Sequence, residues 1–190
     1  MKKITLLLSA TAVAFLTQLG SSSQAAGPAA HESSWAGVKQ LVAVIHPTVG
    51  NKCSGVVRFT DVGGGNVEVV AELEGLNPDQ KHAMHVHEFG DGRGTDGMKT
   101  GGHYNPEGHQ HGLPEAAARH AGDLGNVQAD AAGKATHKIT VNNVTLVGLK
   151  NPIIGRGVIV HAKVDDGGQP TGNAGARIGV GVIGIANPAP

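Results

Sequence analysis

The chain has 190 residues, enough for one domain with a core of its own. Its 15 basic and 15 acidic side chains balance, and only 3% of residues are aromatic. Nucleic-acid binding therefore lacks both a basic footprint and stacking groups, and a single cysteine, Cys53, excludes an internal disulfide.

The first element in chain order is a secretory signal over residues 1–25. Lys2 and Lys3 form its positive region, an apolar run follows over 4–16, and Ser23, Gln24 and Ala25 offer a small-residue cleavage site. The run is too short for a spanning helix, and no second one follows, so no membrane association is expected once the signal is removed. Export to a periplasm or beyond is the expectation. Loss of Lys2 and Lys3 leaves 13 basic against 15 acidic residues, a net charge of about −2. Residues 26–37 read as a flexible leader, 38–187 as the domain and 188–190 as a tail.

Eight short segments rich in β-branched residues then alternate with turns. They cover 38–46, 55–60, 66–74, 84–87, 125–129, 134–141, 157–163 and 177–185. The third places Val67, Val69, Ala71 and Leu73 on one face, and the sixth does the same with Ile139 and Val141. Gly63-Gly64-Gly65-Asn66 and Asp130-Ala131-Ala132-Gly133 supply turn chemistry between strands. No stretch has a sustained helical period. The pattern predicts an all-β fold, an antiparallel sandwich or barrel. Two connections, 88–123 and 164–176, are too long for hairpin turns and read as functional loops.

Seven residues in this frame suit two metal ions. His85 and His87 stand at i and i+2, so one strand directs both imidazoles to one face. His161 ends the apolar run Val158-Ile159-Val160, and a neighbouring strand would bring it beside them. His103, His111, His120 and Asp123 follow at spacings of 8, 9 and 3 in the first long connection. Three imidazole nitrogens and one carboxylate oxygen, wrapped by a loop, are acceptable zinc chemistry. Six imidazoles favour copper and zinc over magnesium or calcium. A His-x-His pair alone is a weak signal, and loop histidines are often solvated surface. His31, His46, His82, His109 and His137 are read as structural or exposed.

Five segments in order resemble the copper/zinc superoxide dismutase family across roughly 39–186. They are His85-Val86-His87-Glu88-Phe89-Gly90-Asp91; Gly102-His103-Tyr104-Asn105-Pro106; Arg119-His120-Ala121-Gly122-Asp123-Leu124-Gly125-Asn126-Val127; Gly155-Arg156 with His161; and Thr171-Gly172-Asn173-Ala174-Gly175-Ala176-Arg177. The resemblance implies an eight-stranded antiparallel Greek-key β-barrel, an immunoglobulin-like sandwich architecture. It implies that His85, His87, His103 and His161 bind copper and that His103, His111, His120 and Asp123 bind zinc, with His103 bridging the two. Asp165 would orient ligand histidines of both ions, Arg177 would attract the anion, and Thr171 would narrow the channel. The implied activity is dismutation of superoxide to oxygen and hydrogen peroxide by alternating Cu(II) and Cu(I). A homodimer is a further implication. A non-catalytic copper/zinc storage or chaperone-type domain would use the same ligands, but has no need of Arg177, Thr171 or a bridging His103.

Two departures from the family pattern carry expectations. The usual disulfide between the first long loop and the last strand is missing: Val180 stands at the strand position, and 92–102 contains no cysteine. Folding should therefore depend more on metal. Between Asp166 and Thr171 stand only Gly167, Gly168, Gln169 and Pro170, so the second loop is short. A more open channel with weaker long-range steering is the expected result.

Overall fold

The computed structural model describes residues 37–187, so the expected signal, the leader apart from its last residue, and the C-terminal tail lie outside the described residues. Eight strands follow one another: β1 (Gln40–Pro47), β2 (Ser54–Gly63), β3 (Asn66–Glu74), β4 (Lys81–His87), β5 (Asp123–Gln128), β6 (Ala135–Val141), β7 (Gly157–His161) and β8 (Arg177–Ile185). The only helical piece among the described residues is one 3-10 turn, Met98–Thr100. The strands pair antiparallel in the order β5-β4-β7-β8-β1-β2-β3-β6. β5 and β6, at the two ends of that order, lie beside each other and nearly close the sheet into a barrel. Strand order departs from chain order where β3 hands over to β4 and β6 to β7, as Greek-key connections require.

Alternation explains the inside of the barrel. Val67, Val69, Ala71 and Leu73 of β3 point inward, none more than 4% exposed, as their period-2 spacing predicts. They meet Leu41, Ala43 and Ile45 of β1 and Val57 and Phe59 of β2 in one apolar core. β4 and β7 are buried along almost their whole length, because long connections cover their outer faces.

Several segments differ from the sequence reading. β2 runs on to Gly63, since its hairpin with β3 turns tightly through glycines of positive φ. β4 starts at Lys81, whose backbone pairs with Gln128 although its side chain is exposed. β7 stops at His161, where the register with β8 shifts between Val160 and His161. A third long connection, 142–156, also exists. Its residues follow the pattern of core: Val144, Leu146 and Ile153 are buried and belong to the apolar core.

The 88–122 connection is fastened to β4 as if it were part of the sheet. Val86 N–H donates to Gly122 O at 2.8 Å, Tyr104 N–H to Val86 O at 2.9 Å and Gly122 N–H to Tyr104 O at 2.9 Å. A Cβ on Gly122 would overlap the Val86 carbonyl, so close approach, rather than an unusual φ, requires glycine there. Gly122→Ala is expected to cost the metal-free protein about 2–3 kcal/mol in urea unfolding. A change within experimental error would mean that this loop is free to shift.

Candidate metal centre

β4 directs His85 and His87 to one face and sends Val86, 1% exposed, into the core. On β7, Ile159 lies opposite His85, so His161, two residues on, shares that face diagonally. The ring centroids of His85 and His161 are 5.0 Å apart, and those of His87 and His161 are 5.7 Å apart. His103 enters from the loop through an isolated antiparallel bridge to His87, and its ring lies 3.9 Å from that of His85. His111, His120 and Asp123 arrive on the far side of His103, with the His103–His111, His103–His120 and His111–His120 centroids each 5.4 Å apart.

All seven expected ligands thus converge, and all are buried. Two groups emerge within which the ligand atoms lie no more than 4.8 Å from one another: His85, His87, His103 and His161, and His85, His103, His111 and Asp123. His120 borders the second group, with Nδ1 at 3.3 Å from both Asp123 Oδ1 and His103 Nδ1. Among the described residues, His46, His82, His109 and His137 belong to neither group. His46 and His109 are exposed and His137 is half-buried. His82 is fully buried, and its Nδ1–H donates to His161 O at 2.8 Å.

Each ring has one nitrogen held by the protein. His85 Nε2–H donates to Asp165 Oδ2 at 2.9 Å, and His111 Nε2–H donates to Asp165 Oδ1 at 2.8 Å. His87 Nδ1–H donates to Gly101 O at 2.9 Å, and His161 Nδ1–H to Gly175 O at 3.2 Å. The opposite nitrogens (His85 Nδ1, His87 Nε2, His161 Nε2 and His111 Nδ1) are buried with no hydrogen-bond partner. Unpaired buried nitrogens are costly, and here they converge. Such a donor set fits cations of copper or zinc type.

The electrostatics favour ligation too. Burial pushes the His85 pKa down to about 4, that of His161 to about 3 and that of His87 to about 2. Each ring is therefore neutral near pH 7 and keeps a lone pair. Burial would raise the Asp165 pKa, but hydrogen bonds from His85, His111 and the Gly167 N–H outweigh it and hold the carboxyl well below its usual range. Asp123 behaves alike: burial opposes ionisation, but His103 and the Gly112 N–H overcome it.

Two amides that the sequence reading passed over hold the loops. Asn126 donates to Asp165 O at 2.9 Å and accepts from Asp165 N–H at 2.7 Å. Gln169 does the same for His111, accepting from its N–H at 3.1 Å and donating to its carbonyl at 2.8 Å. The sequence holds only a faint trace of this, in that Asn126 follows Asp123 within a segment already singled out. Thr171 is exposed in the turn after Pro170. Arg177 is half-buried and donates to Gly97 O, Thr100 Oγ1 and Gly101 O at 2.7, 3.0 and 2.7 Å. These bonds tie β8 to the first long loop. Cys53 stays a buried free thiol.

A family model described as copper/zinc superoxide dismutase matches residues 53–183, more than half of the chain and all seven converging residues. With that match laid over two groups of buried ligands, the chain belongs to the copper/zinc superoxide dismutase family: an enzyme that acts on superoxide, with copper and zinc as its cofactors.

Proposed function

We propose that His85, His87, His103 and His161 hold copper, that His103, His111, His120 and Asp123 hold zinc, and that His103 serves both. One observation carries this division. His85 commits Nε2 to Asp165 and has only Nδ1 left, so it can serve one ion, and its ring centroid lies nearer to that of His161, at 5.0 Å, than to that of His111, at 5.7 Å. That leaves His120, beside Asp123 and His103, to complete the other site in its place.

Copper supplies a one-electron couple that takes an electron from one superoxide and returns it to another, while zinc supplies a fixed positive charge. The chain does the rest. His103 turns Nδ1 toward Asp123, at 3.0 Å, which leaves Nε2 for the other group and as the atom where this ring takes up and releases a proton. Asp165 fixes His85 and His111 in one tautomer each, and so couples the geometry of the two sites. Arg177 keeps its charge beside the β7 end, opposite His161 in the register of β7 and β8, where it draws in a small anion. Thr171 at the rim limits what enters.

Residues 1–25 support export to a periplasm or beyond. Among the described residues no helix is long and apolar enough to cross a membrane. Phe89, Val182 and Ile185 are exposed apolar side chains at 57, 43 and 54%, and Val182 lies against the backbone at Gly90. This surface supports a homodimer that uses the first long loop.

Stopped-flow decay of superoxide, on protein loaded with one copper and one zinc per chain and with a free-copper chelator present, tests the assignment. His161→Ala is expected to lose at least about a hundredfold in rate; a variant as fast as the parent would remove His161 from the copper site. Removal of both metals should lower the calorimetric Tm by about 15 °C, since a loop without a disulfide leans on its ions. A metal-free form that melts within a few degrees of the loaded one would contradict that dependence. Raising ionic strength should slow the reaction less than in relatives with a long second loop. An equally steep decline would show that the shortened loop has not weakened steering.

A further inference from the structure

We propose that Thr100 is a positioning residue for Arg177, its buried hydroxyl setting the guanidinium that meets the anion. This rests on Arg177 being the anion-guiding group. Thr100 ends the 3-10 turn and is 0% exposed. A hydroxyl sealed from water must find its partners inside, and this one finds two. It donates to Gly97 O at 2.8 Å and accepts from Arg177 Nη1 at 3.0 Å. Gly97 O also accepts from Arg177 Nη1 at 2.7 Å and from the Thr100 N–H at 3.2 Å. Threonine, arginine and loop carbonyl therefore close a triangle.

Donor arithmetic links that triangle to function. A guanidinium has five N–H groups. Two on Nη1 go to Gly97 O and Thr100 Oγ1, and one on Nη2 goes to Gly101 O. The Nε–H and one Nη2–H are left for a ligand. Without the hydroxyl, one Nη1–H loses its acceptor, and the planar group can rotate to seek another.

The anchor itself is well fixed. Phe89 N–H donates to Thr100 O at 2.9 Å, holding the turn to the end of β4. The Thr100 methyl fills the space left by Gly157 on β7, where a Cβ would stand 2.9 Å from Cγ2. Thr48 completes the frame: its hydroxyl donates to Arg177 O at 2.8 Å, so both ends of the arginine are restrained. A chain of hydrogen bonds thus holds the first long loop to β8. Thr100 has the central place in it.

The test is azide affinity of the copper- and zinc-loaded protein, read from the visible absorption of Cu(II). The variants are Thr100→Val, which keeps the shape, Thr100→Ala, Thr100→Ser, which keeps the hydroxyl, and Arg177→Ala. Thr100→Val and Thr100→Ala should each weaken azide about three- to tenfold. Thr100→Ser should stay within about twofold of the parent, and the Cu(II) EPR spectrum without azide should be the same in all. If the hydroxyl-free variants bind azide as Thr100→Ser does while Arg177→Ala binds it more weakly, the role of Thr100 is overturned and that of Arg177 stands. An Arg177→Ala variant with parental azide affinity overturns both. An altered EPR spectrum in Thr100→Val would place the effect at the copper ligands and also overturn the proposal.

Discussion

An imidazole has two nitrogens, and in this barrel the protein occupies one of them on His85, His87, His111 and His161. The other then has a fixed direction, toward a place where several unpaired lone pairs meet. Left without a cation, such a cluster is expensive to bury. With one, the same burial keeps the rings neutral and excludes competing water. Ring orientation is thus decided by two carbonyls and one carboxylate that lie outside both groups of converging residues. Asp165 is the most consequential of these, because one buried carboxylate accepts from a histidine on the sheet and from another on the loop.

The sheet and the loops contribute in different ways. β4 and β7 supply His85, His87 and His161 on rigid neighbours whose register is set by backbone pairing. Of the other converging residues, Asp123 opens β5, while His103, His111 and His120 come from a connection with little apolar surface of its own. The loops are held by amides that imitate a strand partner: Asn126 on Asp165, and Gln169 on His111. Gln169 also joins the shortened second loop to the first. Each such bond contributes on the order of 1 kcal/mol, so the loops are ordered by many small contacts rather than one strong one.

Much of this was legible in the sequence, for identifiable reasons. β3 and β8 were read with their observed bounds because alternation in the one and a β-branched run in the other coincide with the paired backbone. The seven converging residues stood out because histidine is uncommon and its spacing on β4 has only one geometric meaning. The apolar 142–156 connection was not distinguished as a long connection, since core residues in a crossover look like core residues in a strand. The clamps Asn126, Gln169 and Thr100 left almost no signal. Amides and hydroxyls are ordinary loop residues, and their partners lie 39, 58 and 77 positions away, beyond any local pattern. His82 was placed correctly among the structural histidines, but the sequence did not disclose that it supports the backbone of His161.

The lone cysteine has a consequence for the conditions this fold tolerates. Cys53 is sealed against Gly179, and burial pushes its thiol up to about 12, so almost none of it is thiolate at neutral pH. The thiolate is the form that attacks peroxide and that enters disulfide exchange. An enzyme whose own product is an oxidant therefore carries no cysteine sulfur ready to react with it. Nor does it carry a bridge that a reductant could open. Its architecture is indifferent to the thiol redox poise of its surroundings, and its folding calls for no disulfide to be made or reshuffled.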